Sequence, residues 1–157
     1  MLAFDPGFER LGVAVVEKIN DKETLAYSDC IRTSAKLSFS ERLAALRKVS
    51  EALIKEWQPD CVALENVFFE KNAKTAMDVA AVRGMLLYVA GKAGLTVHEY
   101  TPLQVKVAIT GYGKSDKSAI AAMVPRLVPV PAKKRLDDEM DAIAVGLTCL
   151  ASVRSAS

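Results

Sequence analysis

The feature that most constrains this sequence is a short apolar run at residues 61–64, which lies between Pro59-Asp60 and Glu65-Asn66. Four consecutive apolar residues bounded by turn-forming and polar residues predict a strand that is buried on both faces. Such strands lie inside parallel sheets, and parallel neighbours are joined by crossover connections that are usually helices. The run therefore predicts an α/β fold in which helices cover both faces of a sheet.

The rest of the chain supplies the other strands and helices of such a fold. Ser38 and Glu41 have the spacing of a capping box, and Thr101-Pro102 has the form of an N-cap followed by proline, so a helix is expected to begin at each place. Pro125 lies inside a further helical pattern and is expected to break or kink it. The five-stranded sheet is expected to be mixed, because the first three strands are close enough in sequence to pair antiparallel. The predicted strands lie at residues 1–4, 12–16, 24–31, 61–64 and 95–100, and the predicted helices at about 38–58, 72–92, 101–110, 115–125 and 137–152.

The distribution of charge says more about function than the total does. At roughly 150 residues per domain, the 157 residues predict one domain, residues 1–157, and no repeat or linker divides it. The net charge is +2 and the pI is near 8.4, below the value of roughly 9 that marks a nucleic-acid-binding domain. Residues 101–135, however, hold seven basic side chains and one acidic side chain, a local charge of +6, while the rest of the chain has 14 basic and 18 acidic side chains, a charge of −4. This basic segment indicates either an anionic partner or only a solvated surface.

The cysteines and the apolar segments bear on where the protein works. Cys30, Cys61 and Cys149 are widely spaced, odd in number and set among apolar residues, as buried thiols in a reducing compartment would be, so we expect a cytoplasmic protein. We find no secretory start and no apolar run near the roughly 18 residues of a membrane span. A zinc site is not expected, because the single histidine, His98, and the scattered cysteines lack the usual spacing of zinc ligands. We expect His98 to be structural.

Four acidic residues stand where the predicted fold would bring them together. Asp5 and Glu65 each follow an apolar strand, so their carboxylates lie at one sheet edge if the two strands are parallel neighbours. Asp138 and Asp141 are spaced i, i+3 at the start of the last helix and share one face. Asp5 could instead only form a turn, and acids at a helix start often serve as caps. Glu65 is harder to explain structurally, because a carboxylate directly after a buried strand needs a partner or a metal ion.

Clustered carboxylates favour one kind of chemistry. Hard cations such as Mg²⁺ and Mn²⁺ prefer oxygen ligands, and two of them about 3.5–4 Å apart can activate water and stabilise the leaving oxygen of a phosphodiester. The four acids therefore predict a metal-dependent reaction at phosphate.

Six fragments in this order resemble the RuvC family of Holliday-junction resolvases, and together they span nearly the whole chain. Each fragment is weak alone, but the ordered set at these separations is specific to the family. The fragments are Phe4-Asp5-Pro6-Gly7 with Gly12, Leu64-Glu65-Asn66-Val67-Phe68, Arg83-Gly84, Gln104-Val105-Lys106, Gly113 with Asp116-Lys117-Ser118, and Asp138 with Asp141-Ala142-Ile143-Ala144.

The resemblance implies a ribonuclease-H-like fold and a homodimeric, Mg²⁺-dependent endonuclease that nicks two strands of like polarity at a four-way DNA junction during recombination and repair. Asp5, Glu65, Asp138 and Asp141 match the family's catalytic, metal-binding carboxylates. Two Mg²⁺ ions per active site are implied, with Mn²⁺ as a substitute. The resemblance also implies cooperation with a branch-migration motor complex of the RuvA and RuvB type.

The same resemblance assigns the contacts with DNA and with a second subunit. Lys106 and Lys117 match lysines near the DNA backbone, and the glycine-rich loop that contains Lys114 would lie along DNA. Phe68 matches an aromatic residue that inserts or stacks at the junction. The helix at residues 73–93 would form the dimer contact. Solvated lysines, a buried aromatic and an ordinary core helix are the alternatives for these positions.

Three other functions fit parts of the pattern. Asp5-Pro6-Gly7 and Arg10-Leu11-Gly12 also resemble the opening of the YqgF-type branch of this fold, which acts on RNA, but Glu65 argues against that branch. A non-catalytic junction-binding protein would not need all four acids, and an ATPase-like half domain is disfavoured by the short length. Two features depart from the RuvC pattern: the first strand begins at Met1, as a trimmed start would leave it, and Pro125 interrupts a helical segment.

Overall fold

A computed structural model describes residues 1–66, 73–131 and 135–153 of the chain. Five strands form one mixed sheet in the order β3-β2-β1-β4-β5, and five helices of the described ranges pack on its two faces. None of these helices is long and apolar enough to span a lipid bilayer. The elements are β1 Leu2–Asp5, β2 Arg10–Ile19, β3 Lys22–Arg32, α1 Phe39–Trp57, β4 Cys61–Glu65, α2 Ala73–Lys92, β5 Thr96–Tyr100, α3 Pro102–Thr110, α4 Lys117–Leu127 and α5 Asp137–Ser152.

The sheet confirms the predicted arrangement of its strands. β1, β2 and β3 pair antiparallel, and β4 lies between β1 and β5 and is parallel to both. Between β2 and β3 the chain reverses at Asn20 and Asp21, whose φ angles are 48° and 61°. Positive φ at both central residues is the geometry of a tight type I′ hairpin, which Asn and Asp tolerate better than most residues. The central position of β4 accounts for its unbroken apolar sequence.

The two faces of the sheet are packed differently. Large side chains such as Phe4 and Leu64 face α1 and α2, whereas Ala3, Ala14 and Ala63 face α5. A Cβ atom built at Gly146 of α5 would lie 2.7 Å from Cγ2 of Val16 and 3.2 Å from Cβ of Ala3. The small residues on both sides of this contact let α5 lie close against the sheet.

The predicted helix starts are confirmed by their caps. The Ser38 side chain accepts a hydrogen bond from the backbone N–H of Glu41, and the Glu41 carboxylate accepts one from the Ser38 N–H. Thr101 and Gln104 form the same reciprocal pair at the start of α3. Asp116 caps α4 through the N–H of Ala119. These contacts satisfy backbone donors that the first turn of a helix cannot pair.

Pro125 does not break its helix, so that part of the prediction was wrong. α4 runs through Pro125 to Leu127, and the N–H of Val128 still bonds the carbonyl oxygen of Val124 at 3.0 Å. A proline leaves the carbonyl four residues earlier, that of Ala121, without its helical donor. Ala121 and Pro125 are both exposed, so water can bind this carbonyl and the helix survives for its last residues.

Candidate active site

Two of the predicted carboxylates leave the sheet side by side. β1 and β4 are parallel neighbours, with Phe4 opposite Leu64, so Asp5 and Glu65 occupy the next position of each strand at the same edge. The two carboxyl groups are hydrogen-bonded to each other. Because side chains alternate between the faces of a strand, both carboxyl groups point away from α1 and α2 and toward the face that α5 covers.

The other two carboxylates arrive on the first turns of α5. Gly12 pairs with Asp5 across β1 and β2, and a Cβ atom at Gly12 would lie 1.9 Å from the carbonyl oxygen of Asp138 and 3.2 Å from Cβ of Asp5. Only glycine therefore lets α5 begin directly against the strand that carries Asp5. Asp138 and Asp141, one turn apart, then lie on the side of the helix that faces the sheet edge, close enough for both charges to act on Asp5.

The crowding of negative charge changes the acidity of the two strand carboxyls. Burial, then the charges of Glu65 and Asp141, raise the pKa of Asp5 well above its usual value. Burial and the charge of Asp141 also raise the pKa of Glu65, while the hydrogen bond from Asp5 and the nearby cations Lys117 and Lys106 act in the opposite direction. Asp5 is thus the group that keeps its proton and donates it to Glu65. A divalent cation would replace that proton and relieve the repulsion.

Two basic side chains cap the helix carboxylates. Nζ of Lys117 lies 2.9 Å from Oδ2 of Asp141, and a guanidinium nitrogen of Arg10 lies 3.4 Å from Oδ2 of Asp138. The Lys117 side chain is 73% exposed although its partner is largely buried. Sequence reasoning assigned Lys117 to DNA and did not select Arg10, which is 128 residues from Asp138 in the sequence and meets it only in the fold. Both cations stand between the carboxylates and solvent.

The remaining predicted residues differ in how the structure places them. Lys106 on α3 is half-buried and is close enough to act on Glu65. Lys114 is exposed in the loop between α3 and α4, two helices that pack with α5 on the same side of the sheet. Phe68 lies outside the described residues, so its predicted contact with DNA stays a prediction.

A cleft of about 540 Å³ opens beside the carboxylates. Its walls come from the loop between β1 and β2, the start of α2 and the start of α5, and they include Arg10, Lys117 and Asp138. Asp5 and Glu65 are not among its lining residues. Four acidic side chains, Glu9, Asp78, Asp137 and Asp138, line the cleft with the two basic ones, so an anionic ligand would need bound cations to enter it.

The donor set fits hard divalent cations. Asp5, Glu65, Asp138 and Asp141 offer only carboxylate oxygens, the ligands that Mg²⁺ and Mn²⁺ prefer, and the negative charge that raises the pKa of Asp5 is the charge that a cation would neutralise. Asp138 and Asp141 are paired with Arg10 and Lys117. A bound cation would replace these basic side chains as the partner of the carboxylates, and the side chains could then bind a phosphate.

A second group of metal-binding side chains contradicts the sequence-based view of the cysteines. In the described ranges, Cys61, His98 and Cys149 bring one ligand atom each within 4.8 Å of one another. The Cys149 thiol donates a hydrogen bond to Cys61, which lowers the pKa of Cys61 to about 6. These residues are scattered in the sequence but not in the fold, because β4, β5 and α5 bring together positions that are far apart along the chain.

Comparison with known proteins places the whole arrangement in one family. The sequence profile described as crossover junction endodeoxyribonuclease RuvC matches residues 1–149. This chain belongs to the RuvC family. The prediction drawn from the six ordered fragments is confirmed, and the mixed sheet with its five described helices is the ribonuclease-H-like fold of RuvC proteins.

Individual relatives agree with this assignment. The RuvC of Ruminiclostridium cellulolyticum is 39% identical over 147 residues, which are 94% of this chain and 89% of that protein. The RuvC of Desulforamulus reducens is 43% identical over 148 residues, 94% of this chain and 90% of that protein. Among solved structures, the RuvC of Thermus thermophilus in complex with Holliday junction substrate has a TM-score of 0.87 and 31% identity, and covers 95% of this chain and 91% of that chain. The yeast mitochondrial resolvase Ydc2, at 11% identity and a TM-score of 0.70, shares the fold.

Proposed function

We propose that this chain is an endonuclease that resolves four-way DNA junctions in recombination and repair, and that Asp5, Glu65, Asp138 and Asp141 are its catalytic residues. Curated relatives that cover nearly the whole chain are named crossover junction endodeoxyribonucleases, and the Thermus thermophilus structure holds a Holliday junction substrate. The observation that carries the assignment of residues is the convergence of the four carboxylates where β1, β4 and α5 meet. We also propose that it works in the cytoplasm and that residues 1–157 act as one nuclease domain.

The four carboxylates hold two divalent cations, for which we propose Mg²⁺, with Mn²⁺ as a substitute. Bound cations supply activated water and charge stabilisation at the phosphate. Asp5 and Glu65 bind from the sheet edge, and Asp138 and Asp141 bind from the helix, so the ligands come from two rigid elements whose separation is fixed by the Gly12 contact. Asp5 loses its proton when the cations bind, because only then is its charge compensated.

The basic side chains around the carboxylates hold the DNA. Lys117 is mostly exposed and its pair with Asp141 lies at the surface, so a phosphate can compete for it at little cost. Lys106 and Lys114 extend the positive surface along α3 and the loop that follows it. Arg10 on the opposite wall of the cleft gives a second point of phosphate contact. Stacking of Phe68 at the junction, implied by the family resemblance, completes the proposed interface.

A homodimer is supported by an apolar stripe on α2. Met77, Ala80, Gly84 and Tyr88 are all exposed, and their spacing of three or four residues puts them on one side of the helix. Met77 and Tyr88 are 75% and 63% exposed. A Cβ atom at Gly84 would meet nothing within 4 Å, so this helix has room for a second backbone at its centre. Two copies packed through this stripe supply one active site for each of the two strands to be cut.

A branch-migration motor of the RuvA and RuvB type is the further partner that the family resemblance implies. A motor that moves the junction through the dimer would deliver new sequence to the two sites.

The test is one cleavage assay on three substrates. With Mg²⁺, the wild-type protein is expected to nick a synthetic four-way junction symmetrically and to leave a linear duplex and a structured RNA of equal length intact.

Asp5→Asn and Glu65→Gln are expected to abolish nicking and retain junction binding, because each removes a charged metal ligand and keeps the shape of the side chain. Asp60→Asn, in the exposed turn before β4, is the matched control and should cleave normally. Cleavage of the RNA alone would favour the YqgF-type RNA nuclease. Junction binding without cleavage would favour a non-catalytic junction-binding protein. Normal cleavage by both Asp5→Asn and Glu65→Gln would refute the assignment of the carboxylates.

A further inference from the structure

A cluster of soft ligands lies at the end of the sheet opposite the carboxylates. Cys61 is the first residue of β4, His98 lies on the neighbouring strand β5, and Cys149 is in the last turn of α5. His98 pairs with Ala63, so its side chain is on the same face of the sheet as that of Cys61, and this is the face that α5 covers. Sγ of each cysteine and a ring nitrogen of His98 all lie within 4.8 Å of one another.

We propose that Cys61, His98 and Cys149 bind a zinc ion that fastens the end of α5 to the sheet. Two thiolates and one imidazole are the ligands that zinc prefers, and three protein ligands with water in the fourth position is an established coordination pattern for zinc. Zinc bonds of about 2.0–2.3 Å in tetrahedral geometry put ligand atoms roughly 3.4–3.8 Å apart. The ligand atoms lie within 4.8 Å of one another, so binding would bring the most distant pair closer by roughly 1 Å.

The surroundings of the cluster suit a bound cation. Both cysteines are buried, while His98 is only half-buried, which leaves an approach for the ion and for a water ligand. The Tyr100 hydroxyl donates a hydrogen bond to the sulfur of Cys149. Hydrogen bonds of this kind orient metal ligands and stabilise their charge.

This site is separate from the proposed catalytic centre. Cys61 and Glu65 stand at opposite ends of β4, four strand residues or roughly 13 Å apart. The ligands also differ in kind, because the carboxylates favour hard cations and the thiolates favour zinc. A zinc ion bound here would act by stabilising the folded state, even though its three protein ligands are one fewer than structural zinc sites usually have.

The experiment measures zinc binding by the reduced full-length chain after removal of metal with a chelator. Zn²⁺ alone is added in competition with a chromogenic chelator, and Co²⁺ serves as a spectroscopic substitute. We expect one tightly bound zinc per chain, a thiolate-to-cobalt charge-transfer band, and a higher thermal midpoint with zinc. Cys61→Ser and Cys149→Ser should each weaken zinc binding by more than about 100-fold, since even loss of a group that only orients a ligand costs about 10- to 100-fold.

The controls separate this site from other thiols and from the carboxylates. Cys30→Ser changes a thiol on β3 that is not part of the cluster and should bind zinc as the wild type does. His98→Gln should keep the fold and weaken binding. If the serine variants do not fold, the Co²⁺ spectrum of the wild-type protein decides. The proposal is overturned if the wild type binds zinc no more tightly than Cys61→Ser, or if zinc binding is lost in Asp5→Asn instead. A Co²⁺ spectrum without thiolate character, or a Cys61–Cys149 disulfide in the freshly purified chain, would also overturn it.

Discussion

Asp5 is the side chain on which the electrostatics of the site converge. Its pKa is raised well above the usual value by burial and then by the charges of Glu65, Asp141 and Asp138. In the unfolded chain these causes vanish and the group ionises at about pH 3.9. Between that pH and its folded pKa the native state therefore holds more protons than the unfolded state, so the free energy of unfolding falls as the pH rises through this window. Without metal, the proton that Asp5 takes up on folding costs stability at neutral pH.

Asp5→Asn is therefore expected to stabilise the metal-free protein at neutral pH. The gain should appear as a higher thermal midpoint, with each 1 kcal/mol worth about 2–4 °C for a domain of this size. The gain should shrink toward zero as the pH falls below about 3.9, because the wild-type carboxyl is then protonated in both states. Mg²⁺ should raise the midpoint of the wild type more than that of the variant. Calorimetry across pH, with Asp60→Asn as the control, checks this; a variant less stable than the wild type at neutral pH would contradict it.

Lys117 joins the carboxylate centre to the basic surface. Its hydrogen bond to Asp141 raises the pKa of the lysine, so it stays charged at neutral pH, and its exposure lets it contact phosphate. Lys117→Ala should weaken junction binding several-fold and make the slope of log K against log salt less negative by about 0.9, the value of one phosphate contact. Lys48→Ala, an exposed lysine on α1 at the other face of the sheet, should leave the slope unchanged. Equal slopes for the two variants in a salt titration would remove Lys117 from the DNA interface.

At the scale of elements, α5 organises the proposed active site. Three consecutive acids at its start have three different surroundings: Asp137 is exposed, Asp138 meets Arg10, and Glu139 is buried and accepts a hydrogen bond from Ser28 of β3 at 2.6 Å. The sequence shows only an acidic helix start, which capping alone would explain. The assignment of one acid to the core and another to the site depends on how the helix rests on the sheet, and that is a property of tertiary packing.

Gly12→Ala should disturb this packing directly. Gly12 is not among the described glycines with positive φ, so its requirement is steric: the added Cβ would lie 1.9 Å from the Asp138 carbonyl oxygen, a backbone atom that cannot rotate away. We expect a loss of about 1–3 kcal/mol in the free energy of unfolding, typical of overpacking, and cleavage reduced more than tenfold because Asp138 is displaced from Asp5. Gly91→Ala is the control, because a Cβ there meets nothing within 4 Å and alanine favours a helix by about 0.5–1 kcal/mol. Denaturant titrations measure both; equal stability of Gly12→Ala and the wild type would show that α5 can shift freely.

At the scale of the whole molecule, the sequence predicts what depends on local pattern and fails where distant segments meet. The central strand β4 and the positions of Asp5 and Glu65 at one sheet edge follow from apolar runs and from the geometry of parallel strands. The Cys61, His98 and Cys149 cluster does not, because its members have no motif spacing and meet only when α5 crosses β4 and β5. The survival of α4 beyond Pro125 depends on exposure to water, which the local pattern does not report. Arg10 was missed because no local pattern links it to Asp138.

The proposed homodimer involves the whole molecule, and a substitution at Gly84 tests it. An arginine at Gly84 meets no atom of its own chain within 4 Å of its Cβ, so the monomer should fold normally, while its long charged side chain stands in the middle of the Met77 to Tyr88 stripe. Gly84→Arg should therefore sediment as a monomer at concentrations where the wild type is expected to form the proposed dimer. Ala122 is also an exposed helical position, on α4 across the sheet, and Ala122→Arg should remain dimeric.

Because a monomer carries one set of carboxylates, Gly84→Arg should nick the two strands of a junction independently, with paired cuts reduced more than tenfold while the single-nick reaction persists. If Gly84→Arg remains a dimer and still makes paired cuts, the proposed subunit contact through α2 is wrong. The substitution changes only this helix, so the contact must then lie elsewhere on the molecule.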